Sequence, residues 1–339
     1  MLRLFEGRDE PLEIVLQPEP APEPLASPTR ADEPPPEPSP EPVPAPKPLA
    51  SQTRADEPAP EPERASAVAS AQIIAFSSAM GSPGKTSLCI NVAFELASAG
   101  KRVGLVDFDL ASPSLLTALN QDSITAGLAG VKRLASQGRL FAEDLHRFLM
   151  VLNYDGVKLT VLPGAVGLGD SEPRGSSWIE VADQLIDKMG GAFDYVLFDL
   201  PSLVVQPQLV AHVLNLADFG FAVSGADPVS VERWLWFKAQ LEALGVRETP
   251  ALVVNQVRDS VLGGNAKGQL ADTFERVAKT DVISFIAQDH NAFDLALREG
   301  LPLQLAKKAS PARHAISMLV RQGILNQRSR LDWRVARLG

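Results

Sequence analysis

From residue 71 onward the chain alternates between two hydrophobic rhythms. Short runs at 73–76, 103–106, 159–162, 195–198, 219–223, 251–254 and 282–285 are almost continuously apolar. A strand wet on one side alternates apolar with polar, so unbroken apolar runs predict strands covered on both faces. Between them lie longer stretches, 87–99, 178–189, 208–216, 229–244, 268–279 and 291–298, with apolar residues at helical spacing. That spacing belongs to helices with one buried face. Strand and helix in alternation predict an α/β fold: a doubly wound, mostly parallel sheet with helices on both faces. Residues 71–325 carry this pattern as one domain. Only 124–158 is less regular, with helices expected near 128–137 and 142–149, covering one edge of the sheet.

Composition sets the first 70 residues apart. They hold 18 of the 28 prolines, and 14 acidic against 6 basic residues. Such a segment cannot bury enough apolar surface to offset the entropy of ordering it, so a disordered acidic tail is expected. The eleven residues from Pro24 to Pro34 recur from Pro48 to Pro58 with one difference, a 24-residue repeat. Its Pro/Glu/Ala character suits a solvated spacer. The other reading is a tether whose apolar head, Met1 to Phe5 and Leu12 to Leu16, docks on a partner. The tail accounts for nearly all of the net charge of −9, which leaves 71–339 close to neutral. A neutral body offers no broad electrostatic footprint for DNA. Arg3, Glu6, Arg8, Asp9 and Glu10 interrupt any secretory leader, and no apolar run reaches bilayer-spanning length. Cys89 is the only cysteine, which excludes a disulfide framework or a cysteine-ligated metal within one chain. A cytoplasmic protein is expected.

The chemistry gathers where strands end. Ala79-Met80-Gly81-Ser82-Pro83-Gly84-Lys85-Thr86 joins the first strand to the first helix. A Gly-rich turn opening a helix aims backbone N–H groups and the positive helix end at an anion. Gly81, Ser82, Pro83, Gly84, Lys85, Thr86 and Ser87 are therefore the expected phosphate-binding residues. Lys85 supplies a cation for the outer phosphates, and the Thr86 hydroxyl a Mg²⁺ ligand. The first Gly of G-x-x-x-x-G-K-[ST] is Ala79 here. Two further strands end in Asp107-Phe108-Asp109 and in Asp199. Ligands of open parallel sheets bind beyond the carboxyl ends of the strands, so these acids converge on the edge that holds Lys85. Asp199 has the placement of a Walker-B acid holding a Mg²⁺-bound water. Asp107 would order the metal's water shell, and Asp109 would orient an attacking water. Each acid read singly could also be a helix cap.

Taken in order, the phosphate loop, Val106-Asp107-Phe108-Asp109 with Pro113-Ser114-Leu115, Val161-Leu162-Pro163-Gly164, Asp194 to Asp199 and Val253-Val254-Asn255-Gln256 resemble the MinD/ParA family of P-loop ATPases. Gly225-Ala226-Asp227-Pro228, Arg258, the run from Ala296 to Pro302 and Ser310-Pro311 are similar to its CpaE/TadZ-like branch, actinobacterial MinD-like proteins in particular. The resemblance implies ATP and Mg²⁺ as cofactors, Asn255 at the adenine, and a homodimer formed with ATP. It implies a role in positioning pilus or secretion machinery, or a division site, at the membrane, with a pilus/secretion or polar-landmark protein as partner. The family's loop carries a signature lysine acting across the dimer; Met80 stands there, and Ser82 replaces a Gly. A thioether cannot supply that charge, so weak ATP hydrolysis is expected. Members also lie on membranes through a C-terminal helix. Here 326–339 carries Arg328, Arg330, Arg334 and Arg337 around Leu331, Trp333, Val335 and Leu338. This segment suits the inner face of the plasma membrane or packing on its own domain. A ParA-like partition ATPase and a non-hydrolysing scaffold are the alternatives, DNA being disfavoured by the near-neutral body. Iron–sulfur carriers need cysteine pairs that Cys89 alone cannot give. Tyr154 and Tyr195 do not make the tyrosine cluster of a bacterial kinase, and His146, His212, His290 and His314 have no paired nucleophile.

Overall fold

The computed structural model describes residues 70–81, 83–123, 125–164, 176–258, 260 and 264–326. All lie within one compact unit, Pro62–Gly339. All but the last residue of the acidic tail, Ser82 and all but the first residue of the basic C-terminal segment fall outside the described residues.

Eight strands form one sheet: β1 (Gln72–Ser77), β2 (Val103–Asp107), β3 (Met150–Tyr154), β4 (Val157–Leu162), β5 (Tyr195–Asp199), β6 (Phe219–Ser224), β7 (Ala251–Val257) and β8 (Val282–Ala287). Their order is β3-β4-β2-β5-β1-β6-β7-β8. Every pairing is parallel except β3 with β4. The expected doubly wound sheet is therefore present, and all seven expected strands are in it. β3 is the addition. The stretch 142–149 was expected to be a helix, but only Ala142–Arg147 forms a 3₁₀ turn before β3 begins. Buried Met150, Leu152 and Tyr154 alternate with exposed Val151 and Asn153, as befits an edge strand with one dry face.

The apolar runs divide strictly between two cores. In β1, Ile73 and Ala75 join one cluster while Ile74 and Phe76 join the other. In β5, Val196 and Phe198 go one way, Tyr195 and Leu197 the other. On the first side lie α3 (Gly127–Ser136), α4 (Ser176–Met189), α5 (Pro207–Leu216), α6 (Pro228–Ala243) and α7 (Ala266–Ala278). The second side holds α1 (Lys85–Ser98), α8 (His290–Glu299) and α10 (Pro311–Met318). Two four-residue helices, α2 (Leu115–Ala118) and α9 (Leu303–Ala306), are local turns.

The phosphate-loop helix α1 is tied to the C-terminal helices by polar groups. Asn91 Oδ1 accepts the buried Leu303 N–H at 2.7 Å, and Ser317 Oγ donates to Glu95 Oε2 at 3.3 Å. From β1 the chain runs outward to β2 on one side and later to β6 on the other, so the sheet's switch point lies at the carboxyl end of β1.

Candidate functional site

Register does the first part of the assembly. Asp107 and Asp199 are direct partners on the parallel strands β2 and β5, and Asp199 is also opposite Phe76, just before the loop that follows β1. Adjacent strands lie about 4.8 Å apart, so the two carboxylates must share one small volume. The β5 exit holds the loop in turn: Leu203 N–H donates to Ser78 O at 2.9 Å and Val204 N–H to Ala79 O at 3.3 Å.

Gly84 then turns the chain into α1 with φ 86°, a left-handed conformation open to glycine. A Cβ there would also collide with the Asn255 side-chain amide, which donates to Pro83 O at 2.8 Å. No side chain caps α1, so the N–H groups of its first turn keep their capacity for an anion.

The side chains converge as the sequence predicts. Lys85 Nζ donates to Asp199 Oδ1 at 2.6 Å and lies 3.7 Å from Asp109 Oδ2. Thr86 Oγ1 donates to Asp199 Oδ2 at 2.6 Å. Burial alone would pull the Lys85 ammonium down, but Asp199, with help from Asp109, outweighs it and raises the group above its ordinary value. Asp109 is raised by burial and by Asp199, with Lys85 pulling the other way. Asp107 is pushed up to about 7 by burial first and by the Asp199 charge second, against the Leu115 N–H it accepts. Its Oδ2 takes that N–H at 3.0 Å, while its buried Oδ1 has no hydrogen-bond partner among the described residues.

Three participants carried no assigned role in the sequence. Ser114 Oγ donates to Thr86 Oγ1 at 3.3 Å. Leu115 holds Asp107 through its backbone, and Gly164 leaves room where a Cβ would press on Pro113 and come within 3.0 Å of Asp107 Cγ. The segments Pro113-Ser114-Leu115 and Pro163-Gly164 were visible as motifs, but a backbone donor and an absent side chain leave no chemical signature. Exposed Met80 and open Gly81 lie in the first half of the loop. Cys89 is wholly buried, and burial raises its thiol well above the ordinary value.

A magnesium ion fits these residues. It is a hard cation that takes oxygen ligands and shares its sphere with phosphates and water. Thr86 and Asp199 supply oxygens, and the orphaned Asp107 Oδ1 lacks the donor that a metal-bound water would bring. Among the described residues no three acidic, His or Cys side chains form a self-contained metal cage, so a cation here depends on the phosphates for part of its shell.

A sequence model of the ParA family, described as NUBPL iron-transfer P-loop NTPase, matches residues 69–141. The chain is 33% identical over 130 residues to the chloroplastic Fe-S cluster assembly factor HCF101 of Arabidopsis thaliana, covering 38% of this chain and 22% of that protein's length. It is 26% identical over 251 residues to an uncharacterized ATP-binding protein of Methanocaldococcus jannaschii, covering 73% of this chain and 86% of that one. Among solved structures, the septum site-determining protein MinD complexed with Mg-ADP from Pyrococcus horikoshii superposes with a TM-score of 0.58 at 21% identity, covering 74% and 95% of the two chains. By fold and by phosphate loop this chain is a P-loop NTPase. Within that class it is similar to the ParA/MinD proteins.

Proposed function

We propose that this chain binds Mg²⁺–ATP, dimerises with it, and positions pilus or secretion machinery, or a division site, on the inner face of the plasma membrane, turning ATP over slowly. The observation that carries the nucleotide reading is the cluster of Lys85, Thr86 and Asp199, held by register and hydrogen bonds at the mouth of an uncapped helix.

In this reading Lys85 exchanges its Asp199 contact for phosphate oxygens, and the first-turn N–H groups of α1 take others. Thr86, Asp199 and Asp107 would hold Mg²⁺, which would neutralise phosphate charge. Asp109, 3.7 Å from Lys85, orients the attacking water. Met80 brings no cation to the outer charge, which supports slow turnover. The positioning role rests on the motif resemblance. Iron–sulfur transfer, which the names of some relatives suggest, is disfavoured because the one cysteine is sealed in the core.

Calorimetry with Mg²⁺–ATP tests the reading. Saturable binding is expected for the wild-type chain, with at least a hundredfold loss in Lys85→Ala. No saturation at millimolar ATP overturns it. Salt-sensitive DNA binding by the ATP form would favour the partition role instead.

A further inference from the structure

The amino edge of the sheet, opposite the phosphate loop, holds a cavity of about 660 Å³. It lies where α5, α6 and α7 end and β6, β7 and β8 begin. That volume falls within the range of small-molecule sites. Buried Phe219 and Leu252 and half-buried Val282 and Ile283 form the apolar part of its wall.

One cation of the wall is held in place. Lys238 is half-buried, and its Nζ donates to Ala278 O at 2.7 Å and to Thr280 Oγ1 at 3.1 Å. Thr280 Oγ1 is itself fixed, accepting the N–H of buried Trp234 at 3.0 Å and donating to Ala278 O at 3.0 Å. Capping the carbonyl end of α7 accounts for two of the lysine's contacts. An ammonium has three N–H donors, however, and both partners here are neutral. Among the described residues Lys238 makes no ion pair. A charge drawn out of water without a counter-ion costs free energy that a bound anion would offset.

The acids of the same wall do not neutralise it. Asp218 accepts the Ile73 N–H at 2.8 Å. Exposed Asp281 follows Thr280 directly in the chain, and exposed Glu275 lies near the end of α7. Neither pairs with a cation among the described residues, although both line the cavity with Lys238. Opposite charges that share a wall without closing on each other suit a molecule that carries both. The helix ends narrow the class further. α5, α6 and α7 all bring their carbonyl ends to this edge, which opposes a polyanion such as a phosphate ester and favours an ammonium.

We propose that this cavity binds a small zwitterion, an α-amino acid with an apolar side chain. Its carboxylate pairs with Lys238, its ammonium with Asp281, and its side chain packs against Phe219, Leu252 and Ile283. The site stands apart from the phosphate loop, so it does not depend on the nucleotide reading.

Calorimetry on the full chain tests this with three probes. L-leucine is the first; 4-methylpentanoate has its skeleton without the amine, and 3-methylbutylamine has it without the carboxylate. L-leucine should bind saturably, and each of the others about tenfold more weakly or worse, the scale of one lost hydrogen bond to a charged group. Lys238→Met, which keeps an unbranched apolar stem, should abolish the advantage of L-leucine over 3-methylbutylamine, and Lys238→Arg should retain part of it. Asp281→Asn, at an exposed position, should abolish the advantage over 4-methylpentanoate, and it decides the matter if Lys238→Met does not fold. Lys85→Ala should leave L-leucine binding unchanged. Absence of saturation at millimolar L-leucine overturns the proposal, as does either analogue binding as tightly as L-leucine. A folded Lys238→Met that binds L-leucine like wild type also overturns it, since the lysine would then only cap α7.

Discussion

Asp107 is a carboxylate the folded chain holds at a disadvantage. Its side chain is 2% exposed, its register partner is another acid, and one oxygen has no partner among the described residues. Replacing it with Asn keeps an oxygen for the Leu115 N–H and removes the charge. Moving the group from 3.8 to about 7 corresponds, at 1.36 kcal/mol for each tenfold step, to about 4 kcal/mol. That figure is a ceiling, because Asp109 and Lys85 share the field and relaxation admits water; about 1–2 kcal/mol is the expected gain in stability.

The sign follows from linkage. An acid whose folded pKa is raised favours the folded state while protonated, and that advantage is lost as pH rises from the unfolded value through the folded one. Without nucleotide or Mg²⁺, wild type and Asp107→Asn should therefore differ little near pH 4. They should diverge up to about pH 7 and stay apart above it, the variant being the more stable. Urea melts in chelator at several pH values measure this. A variant less stable than wild type at pH 8, or a difference that does not change with pH, refutes the reasoning. The same variant should bind Mg²⁺–ATP less tightly.

Other outcomes follow from the same geometry. Met80→Lys should raise steady-state phosphate release, with the gain growing with protein concentration because in the proposed dimer the added charge would act on the partner's nucleotide; brisk wild-type turnover unaffected by the change would contradict this. Gly84→Ala should cost at least 1–2 kcal/mol in chemical denaturation and most of the ATP affinity, since the alanine must hold φ 86° and displace Asn255. Asn91→Leu, which leaves the buried Leu303 N–H unpaired, should cost about 1–3 kcal/mol; hydrogen exchange should report the loosening at 303–306.

The parallel strands were legible because burial on both faces leaves unbroken apolar runs, a signal that needs no tertiary knowledge. β3 was hidden because exposed Val151 is itself apolar and breaks the alternation of buried Met150, Leu152 and Tyr154, and the preceding 3₁₀ turn adds to the helical look of the stretch. The candidate acids were legible as strand ends. What could not be read was that Asp107 and Asp199 are register partners, because registry across β2 and β5 joins residues 92 positions apart and is decided by packing.

The positions where local rules fail are not scattered. A buried acid beside a buried acid and the left-handed Gln256 inside β7, with φ 59°, both lie at the carboxyl edge of the sheet. So do four of the seven buried side-chain atoms without partners among the described residues, those of Ser78, Asp107, Gln206 and Asp289. An unpaired buried polar atom costs on the order of 1–3 kcal/mol. Random imperfection would spread such costs over both ends of the sheet and both cores. Their concentration where phosphate loop and acids meet is what a ligand site requires, because bound phosphates and metal waters supply the missing partners. The same concentration predicts that the molecule gains much of its stability from its ligand rather than from its own contacts at this edge.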